Sequence, residues 1–277
     1  MHNILQKIIA QKKKDVDEAK KNLSFRVPLS GIEESFTPDD VKQDPSTRSF
    51  HSLGRDDNRG NIAIIAEIKL ASPSGGKFSD QNDIPSRVKS YEKAGVESIS
   101  VVTEKHFFKG DIGFVSQVKK LSKLPVLQKD FVIDDYQIYE AKTVDSDALL
   151  LIARIVSKEQ LKRFVLLAQK LGMEPVVEVQ NLEDLEKAVE TQTRFIAVNA
   201  RDLNTFVVDV GKACKLMKKI PSKFIRLGFS GIHSATEVQK YADAGAKGVL
   251  VGTSLMKAKN ISQFLLSLRA PEGSVAI

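Results

Sequence analysis

Several short apolar runs of the sequence end in charged or amide side chains that could carry acid–base chemistry. The first run, IAIIAEIK at 62–69, ends with Glu67 and Lys69, and residues two apart on a β-strand point to the same face. Three later runs end in a similar way. If these strand ends meet in one pocket, they bring together Glu67, Lys69, Lys129, Glu178, Asn199 and Arg201.

Two acids, two lysines and an arginine at one place could compensate one another's charge. A buried charge without a partner costs several kcal/mol or more, whereas a paired set can be held in a pocket. A purely structural ion network is the alternative, although buried ion pairs are often poor stabilisers. Proton donors and acceptors held together indicate an enzyme that moves protons during its reaction.

Glycine turns follow two of the last runs, in FSGIHS at 229–234 and in VGTS at 251–254. Gly231 and Gly252 are 21 positions apart, about one strand–helix unit, and each precedes a predicted helix. Backbone N–H groups at the start of a helix bind anions well. The two turns therefore predict a phosphate site, with glycines that merely end a strand as the alternative.

The elements that must position these residues are eight apolar runs, each followed by a segment of helical periodicity. The runs occupy 62–69, 98–104, 124–131, 148–155, 174–180, 195–201, 224–231 and 248–254. Strands that are apolar on both faces and alternate with helices are typical of a parallel sheet. Eight units predict an α/β fold of the (β/α)8 TIM barrel type, whose active site lies at the carboxyl ends of the strands. A doubly wound sheet is the alternative, but the first turn, KLASPSGGKFSD, lacks the G-x-G-x-x-G spacing.

A segment of different composition precedes the barrel. Residues 3–22 carry apolar residues at helical spacing and predict an amphipathic helix, while residues 36–61 are polar and predict a mobile loop. We therefore expect an N-terminal helical extension and loop at 1–61 and the barrel at 62–277, in a single structural domain overall. Three helix ends are predicted at Gly95, Gly172 and Gly245.

The composition is that of an ordinary globular protein of 277 residues, 42% apolar and 28% charged. One cysteine, Cys214, excludes an internal disulfide framework, and no apolar run is long enough to span a bilayer, so we expect a cytoplasmic protein. The net charge of +7 favours an anionic partner or reflects a lysine-rich solvated surface. There is no nucleic-acid-binding motif. Metal-ligand spacing is absent among His2, His51, His106 and His233.

These motifs resemble indole-3-glycerol phosphate synthase, a barrel family of tryptophan biosynthesis, and the resemblance covers nearly the whole chain. Its most specific parts are EIKLASPS at 67–74 and KDFVIDDYQ at 129–137. Further strand ends match in SVVTEKHFFKG, VVEV, VNARDL, FSGI and LVGTSLM. The N-terminal helix and its loop resemble the extension of the same family.

The resemblance implies conversion of 1-(2-carboxyphenylamino)-1-deoxyribulose 5-phosphate to indole-3-glycerol phosphate, with loss of CO2 and water. Such a carbon–carbon lyase needs no cofactor or metal, and its small-molecule substrate carries a carboxylate and a phosphate. Lys129 would be the acid of ring closure and Glu178 would stabilise the cationic intermediate. Lys69 and Glu67 would serve the dehydration, although which lysine serves which step stays open. Asn199 would hydrogen-bond the substrate.

The resemblance also implies binding roles. Pro73, Phe108 and Phe131 would line the pocket for the aromatic ring, with Ser72 beside them, and Arg201 would support the charge network. The phosphate would be held by Ser230, Gly231, Gly252 and Thr253. Barrels of this family can be monomers, which makes a monomer one expectation for this chain.

Four positions depart from the pattern of the family: Leu70, Gln128, Ala200 and Phe229. At position 229 the family usually has a glutamate. Two other functions therefore stay open. One is a degenerate phosphate-binding barrel that acts as an interaction module, and the other is an aldolase-type barrel in which a lysine forms a Schiff base.

Overall fold

In the computed structural model, which describes residues 4–22, 50 and 62–269, eight parallel strands close into a barrel. The strands are β1 (Ala63–Ile68), β2 (Ser98–Val102), β3 (Val126–Lys129), β4 (Ala148–Ile152), β5 (Glu174–Val179), β6 (Phe195–Asn199), β7 (Ile225–Phe229) and β8 (Gly248–Val251). Each strand pairs with the next, and β8 returns to β1, where Val251 lies opposite Ala66. The predicted (β/α)8 barrel is confirmed.

Helices alternate with the strands. They are α1 (Ile4–Asn22), α2 (Ile84–Lys93), α3 (Gly113–Leu121), α4 (Asp135–Thr143), α5 (Lys158–Lys170), α6 (Leu182–Val189), α7 (Val210–Met217), α8 (Ala235–Asp243), α9 (Thr253–Lys257) and α10 (Ile261–Ser267). A small hairpin, Ala71–Ser72 with Gly76–Lys77, follows β1. Gly95, Gly172 and Gly245 follow α2, α5 and α8 with φ of 68°, 76° and 91°, which confirms the three predicted helix ends. In the described part of the chain, no helix is long and apolar enough to cross a membrane.

The barrel strands are apolar on both faces because both faces are covered. On β1, Ile64 and Ile68 belong to the outer core cluster that also contains helix residues such as Tyr91. Ile65, between them, belongs to the inner cluster with Leu127 of β3. Since side chains alternate along a strand, the next inward position after Ile65 is Glu67, close to the carboxyl end. The inner face therefore changes from apolar to charged at the open end of the barrel.

The predicted amphipathic helix is present as α1, where Ile8 and Val16 are 3% and 5% exposed. The predicted polar loop at 36–61 lies outside the described residues apart from Phe50. That side chain is 2% exposed and packs edge-on against Phe195, with ring centroids 5.4 Å apart. The proposed division between 61 and 62 stays a prediction.

A buried ion pair attaches α1 to the carboxyl end of β3. Lys12 lies between Ile8 and Val16 at helical spacing and is buried with them. Its Nζ lies 2.8 Å from Oδ1 of Asp130, the residue that follows β3. The hydroxyl of Thr103 donates to Oδ2 of Asp130 over 2.7 Å, which ties the end of β2 to the same carboxylate. The N-terminal helix is therefore held next to the end of the barrel where charged side chains collect.

Replacing Lys12 with alanine should destabilise the protein by about 3 kcal/mol, because removal of one partner leaves a buried charge without its counter-ion. The free energy of unfolding, followed in urea, measures this. Lys14→Ala, an exposed change on the same helix, is the control and should cost less than about 0.5 kcal/mol. Equal urea midpoints for the two variants would show that the ion pair does not hold α1 in place.

Candidate active site

A pocket opens at the carboxyl ends of the strands, and every site residue expected from the sequence lines it. From the first half of the barrel come Glu67, Lys69, Ser72, Pro73, Phe108, Lys129 and Phe131. From the second half come Glu178, Asn199, Arg201, Ser230, Gly231, Gly252 and Thr253. The structure thus brings the expected residues together, while the role of each stays a proposal.

The Glu67 carboxylate lies between two lysines. Its Oε1 is 2.6 Å from Nζ of Lys69, and its Oε2 is 3.6 Å from Nζ of Lys129. Glu67 is 2% exposed, and burial by itself would raise the pKa of its carboxyl group. The two ammonium groups outweigh that effect and hold the pKa of Glu67 below its ordinary value. This carboxylate is therefore ionised and keeps both lysines oriented towards the pocket.

Glu178 is the second buried carboxyl group of the site. It ends the inner face of β5, and its Oε1 accepts a hydrogen bond of 3.0 Å from Nδ2 of Asn199 on the neighbouring strand. Burial raises the pKa of Glu178 above its ordinary value, although Lys129 acts in the opposite direction. Two carboxyl groups with opposite shifts are an arrangement that allows one to hold a proton more readily than the other.

Arg201 follows β6 and is held through its main chain as well as its side chain. Its amide donates to Oδ1 of Asn199 over 3.0 Å, and its carbonyl accepts a bond of 2.6 Å from Nε2 of Gln180. Its Nη1 donates to the carbonyl of Phe206 over 3.2 Å. Burial lowers the pKa of Arg201, and the Glu67 carboxylate opposes this shift. Because arginine side chains keep their proton in proteins, the guanidinium is a cation in the pocket wall.

Aromatic side chains contribute apolar surface to the pocket. The rings of Phe108 and Phe131 lie 6.2 Å apart at 39°. Leu203 and Phe206, from the loop after β6, also line the pocket. Neither residue was predicted from the sequence. Phe206 lies outside the strand ends and motifs, and it reaches the pocket through a loop in which its φ is 60°.

The predicted phosphate cradle lies on the β7 and β8 side of the pocket. Ser230 and Gly231 have φ of 70° and 76°, so the chain turns sharply after β7. A hydrogen bond of 3.4 Å from Nζ of Lys69 to Oγ1 of Thr253 connects this region to the charged group. His233 and Ser254, missed from the sequence, line the same end, with Nδ1 and Oγ 2.8 Å apart. Both lie next to the glycine turns, which was the signal that could have found them.

Comparison with known proteins identifies the family of this chain. The family model described as "Indole-3-glycerol phosphate synthase" matches residues 5–268. An indole-3-glycerol phosphate synthase of Acetivibrio thermocellus is 38% identical over 96% of this chain and 99% of its own length. The chain belongs to the indole-3-glycerol phosphate synthase family. A second relative with that name, from Caldanaerobacter subterraneus subsp. tengcongensis, is 46% identical over 76% of this chain and 83% of its own length.

Membership of the indole-3-glycerol phosphate synthase family confirms the resemblance drawn from the motifs. A solved structure described as "Native KDPGal structure" aligns with a TM-score of 0.54 at 14% identity, over 75% of this chain and 93% of that one. That likeness is one of fold alone.

Within residues 4–22, 50 and 62–269, no group of three or more His, Cys, Asp or Glu side chains could hold a metal ion.

Phe229, one of the four positions expected from the motifs to depart from the family, is buried at the end of β7. It is 1% exposed, belongs to the inner core cluster and lines the pocket. Its backbone partners on the flanking strands are Asn199 and Leu250. The ring therefore supplies apolar surface next to Asn199, at a position where the resemblance of the motifs led us to expect a carboxylate.

Glu104 organises the loop that carries Phe108, and the sequence reasoning did not assign it to the site. The side chain is 1% exposed. Its Oε1 accepts the amide of His106 at 3.0 Å, and its Oε2 accepts the amides of Phe107 and Phe108 at 2.7 and 2.9 Å. The carbonyl of Phe108 in turn accepts the amide of Ala71, 3.0 Å away in the hairpin after β1. One carboxylate thus positions one wall of the pocket.

Glu104→Ala should loosen this loop, because three backbone N–H groups lose their acceptor. We expect a loss of stability of about 2 kcal/mol or more, and faster hydrogen exchange at the amides of residues 106–108. Glu183→Ala removes a carboxylate whose side chain is 77% exposed and should change neither measurement. Unchanged exchange at residues 106–108 in Glu104→Ala would contradict the proposed organisation of the loop.

Proposed function

We propose that this pocket closes the indole ring of indole-3-glycerol phosphate, starting from 1-(2-carboxyphenylamino)-1-deoxyribulose 5-phosphate. The synthase activity, a decarboxylating carbon–carbon lyase step of tryptophan biosynthesis, follows from membership of the family. The observation that carries the assignment to this pocket is the Glu67 carboxylate held between Lys69 and Lys129. It puts two ammonium groups and a carboxylate within reach of one bound molecule.

Ring closure requires an acid at the ketone oxygen while the aryl carbon attacks. Lys129 fits this role because its side chain is 23% exposed, towards the pocket, and because Glu67 keeps its ammonium group oriented. The intermediate that follows is a cation. Glu178 lines the pocket, where it accepts a hydrogen bond from Asn199. When it is ionised, the Glu178 carboxylate would stabilise that cation. Loss of CO2 then restores a neutral ring system.

The dehydration that completes the indole requires an acid for the departing hydroxyl and a base for a proton. Lys69 and Glu67 are paired at 2.6 Å and would serve as acid and base. Lys69 is also in contact with Thr253 on the cradle side, so it could instead hold an anionic group of the substrate. The assignment of the two lysines to the two acid steps stays a prediction.

Substrate binding follows the division of the pocket. The apolar wall of Pro73, Phe108 and Phe131 would hold the aromatic ring, with Ser72 at its edge. Arg201 and Asn199 would face the middle of the substrate. The phosphate would be held by Ser230, Gly231, Gly252 and Thr253. A small phosphorylated substrate therefore fits, whereas a monomeric state and a cytoplasmic location stay predictions.

The Schiff-base alternative is disfavoured by the same ion pairs. A lysine that attacks a carbonyl must be a neutral amine, and such lysines are activated by apolar surroundings or by another cation. Here both lysines face a carboxylate. The interaction-module alternative is motivated by Phe229, and a direct assay separates it from the synthase.

The deciding experiment follows indole fluorescence after addition of the anilino-deoxyribulose phosphate. The wild-type protein should turn over, and Lys129→Ala should lose roughly 10²–10⁴-fold in kcat, since one positioned acid contributes that much. Lys123→Ala, an exposed lysine ahead of β3, is the matched control and should keep wild-type rates. Binding without turnover in the folded wild-type protein would favour the interaction module, and a borohydride-trapped lysine adduct would favour the aldolase.

The pH dependence of kcat/KM should reveal Glu178. Because burial raises its pKa above the ordinary value of 4.5, protons neutralise Glu178 at a higher pH than they neutralise a solvent-exposed glutamate. Activity should therefore fall as the pH drops, with an acidic limb above 4.5. The substrate phosphate also titrates, so Glu178→Gln is compared with wild type: its rate should be lower throughout and should lack this limb. Identical limbs in both proteins would remove Glu178 from the mechanism.

A further inference from the structure

We propose that Gly252 is a positioning residue: its missing side chain leaves the space in which the Glu67 carboxylate sits between Lys69 and Lys129. The inference rests on the proposed function, and it adds to the cradle role expected for Gly252 a second role that acts through Glu67. Gly252 follows β8, and β8 is hydrogen-bonded to β1, the strand that carries Glu67. The two residues are therefore neighbours across the closure of the barrel.

The space around Gly252 supports this role. A β-carbon at this position would overlap Oε1 of Glu67 and would lie 2.9 Å from Cδ of the same side chain. It would also lie 3.3 Å from Nζ of Lys69. The φ of Gly252 is −121° and its ψ is −84°. A positive φ is therefore not the reason for a glycine at this position, whereas a β-carbon here would meet the carboxylate of Glu67.

Glu67 has little freedom to move aside. The residues before it on β1 are fixed by pairing with β8 on one side and with β2 on the other. Its carboxylate is buried, and its two oxygens contact different lysines. A shift that relieves an overlap at Oε1 would lengthen the contact to Lys69, to Lys129 or to both. A methyl group at position 252 would therefore separate the three charged groups that the proposed reaction uses.

Alanine at 252 distinguishes this role from anion binding. A phosphate cradle uses the backbone N–H group, which alanine retains. The space for the carboxylate is what alanine removes. Gly248→Ala is the matched control on the same strand: its β-carbon would lie 3.0 Å from the end of the Leu227 side chain, and 3.4 and 3.5 Å from atoms of Ala63.

The first test is kinetic. Gly252→Ala should lower kcat on the order of 10²-fold, as expected for a small misplacement of catalytic groups, while the inhibition constant for inorganic phosphate changes by less than about 2-fold. Gly248→Ala should leave kcat within about 2-fold of wild type. An unchanged kcat, with weaker inhibition by phosphate, would assign Gly252 to the cradle alone and overturn the proposal.

The second test does not depend on activity. Gly252→Ala should lower the thermal midpoint of unfolding by about 3 °C or more, whereas the same change in a Glu67→Ala background should lower it far less, because the overlapping carboxylate is gone. Such a double-mutant cycle isolates the interaction between the two positions. An equal loss in both backgrounds would overturn the proposal. Absence of turnover in the wild-type protein would refute the proposed reaction while leaving this thermal comparison fully readable.

Discussion

The carboxylate of Glu67 is the charge on which the organisation of the pocket depends. It is almost fully buried and yet ionised. The cost of burying this charge is offset by two ammonium groups, one at each oxygen of the carboxylate. Removing the carboxylate would leave two ammonium groups facing the pocket without the anion between them. Nearby positions contribute either a charge or the space that a charge occupies, as Gly252 does for Glu67.

The barrel provides the distances that this arrangement needs. Parallel pairing fixes the strands relative to one another: Glu67 of β1 lies opposite Ser100 of β2, which lies opposite Leu127 of β3. Lys129 is two residues further towards the open end, and its side chain reaches Glu67 from there. Loops alone, with their greater mobility, would hold such contacts less well. The helix α1 and the loop after β2 add support from outside the barrel, through Asp130 and Glu104 respectively.

Much of the barrel and the charged part of the pocket could be predicted from the sequence, because both depend on local periodicity. Alternation along each strand groups Glu67 with Ile65 and Lys129 with Leu127, and the expected barrel then suggests that these faces point inwards. Lys12 and Glu104 could not be found in this way. Lys12 reads as one more surface lysine of a basic helix, and its partner is more than a hundred residues away. Glu104 follows a strand as the other candidates do, but its carboxylate accepts hydrogen bonds from backbone amides of the next loop. The conformation of that loop determines this, and the spacing of residues in the sequence does not show it.

The ring at position 229 has a consequence for how a ligand arrives. Five charged side chains line the pocket besides His233 and Asp130, whose charge is balanced by Lys12. Three of the five are cations (Lys69, Lys129 and Arg201), and two carry carboxyl groups (Glu67 and Glu178). A glutamate in place of Phe229 would cancel the excess. With phenylalanine there, these pocket side chains keep one more cation than carboxyl group. Such an excess would attract an anionic molecule over the screening length of about 8–10 Å at physiological ionic strength, and the encounter rate would then depend on the salt concentration.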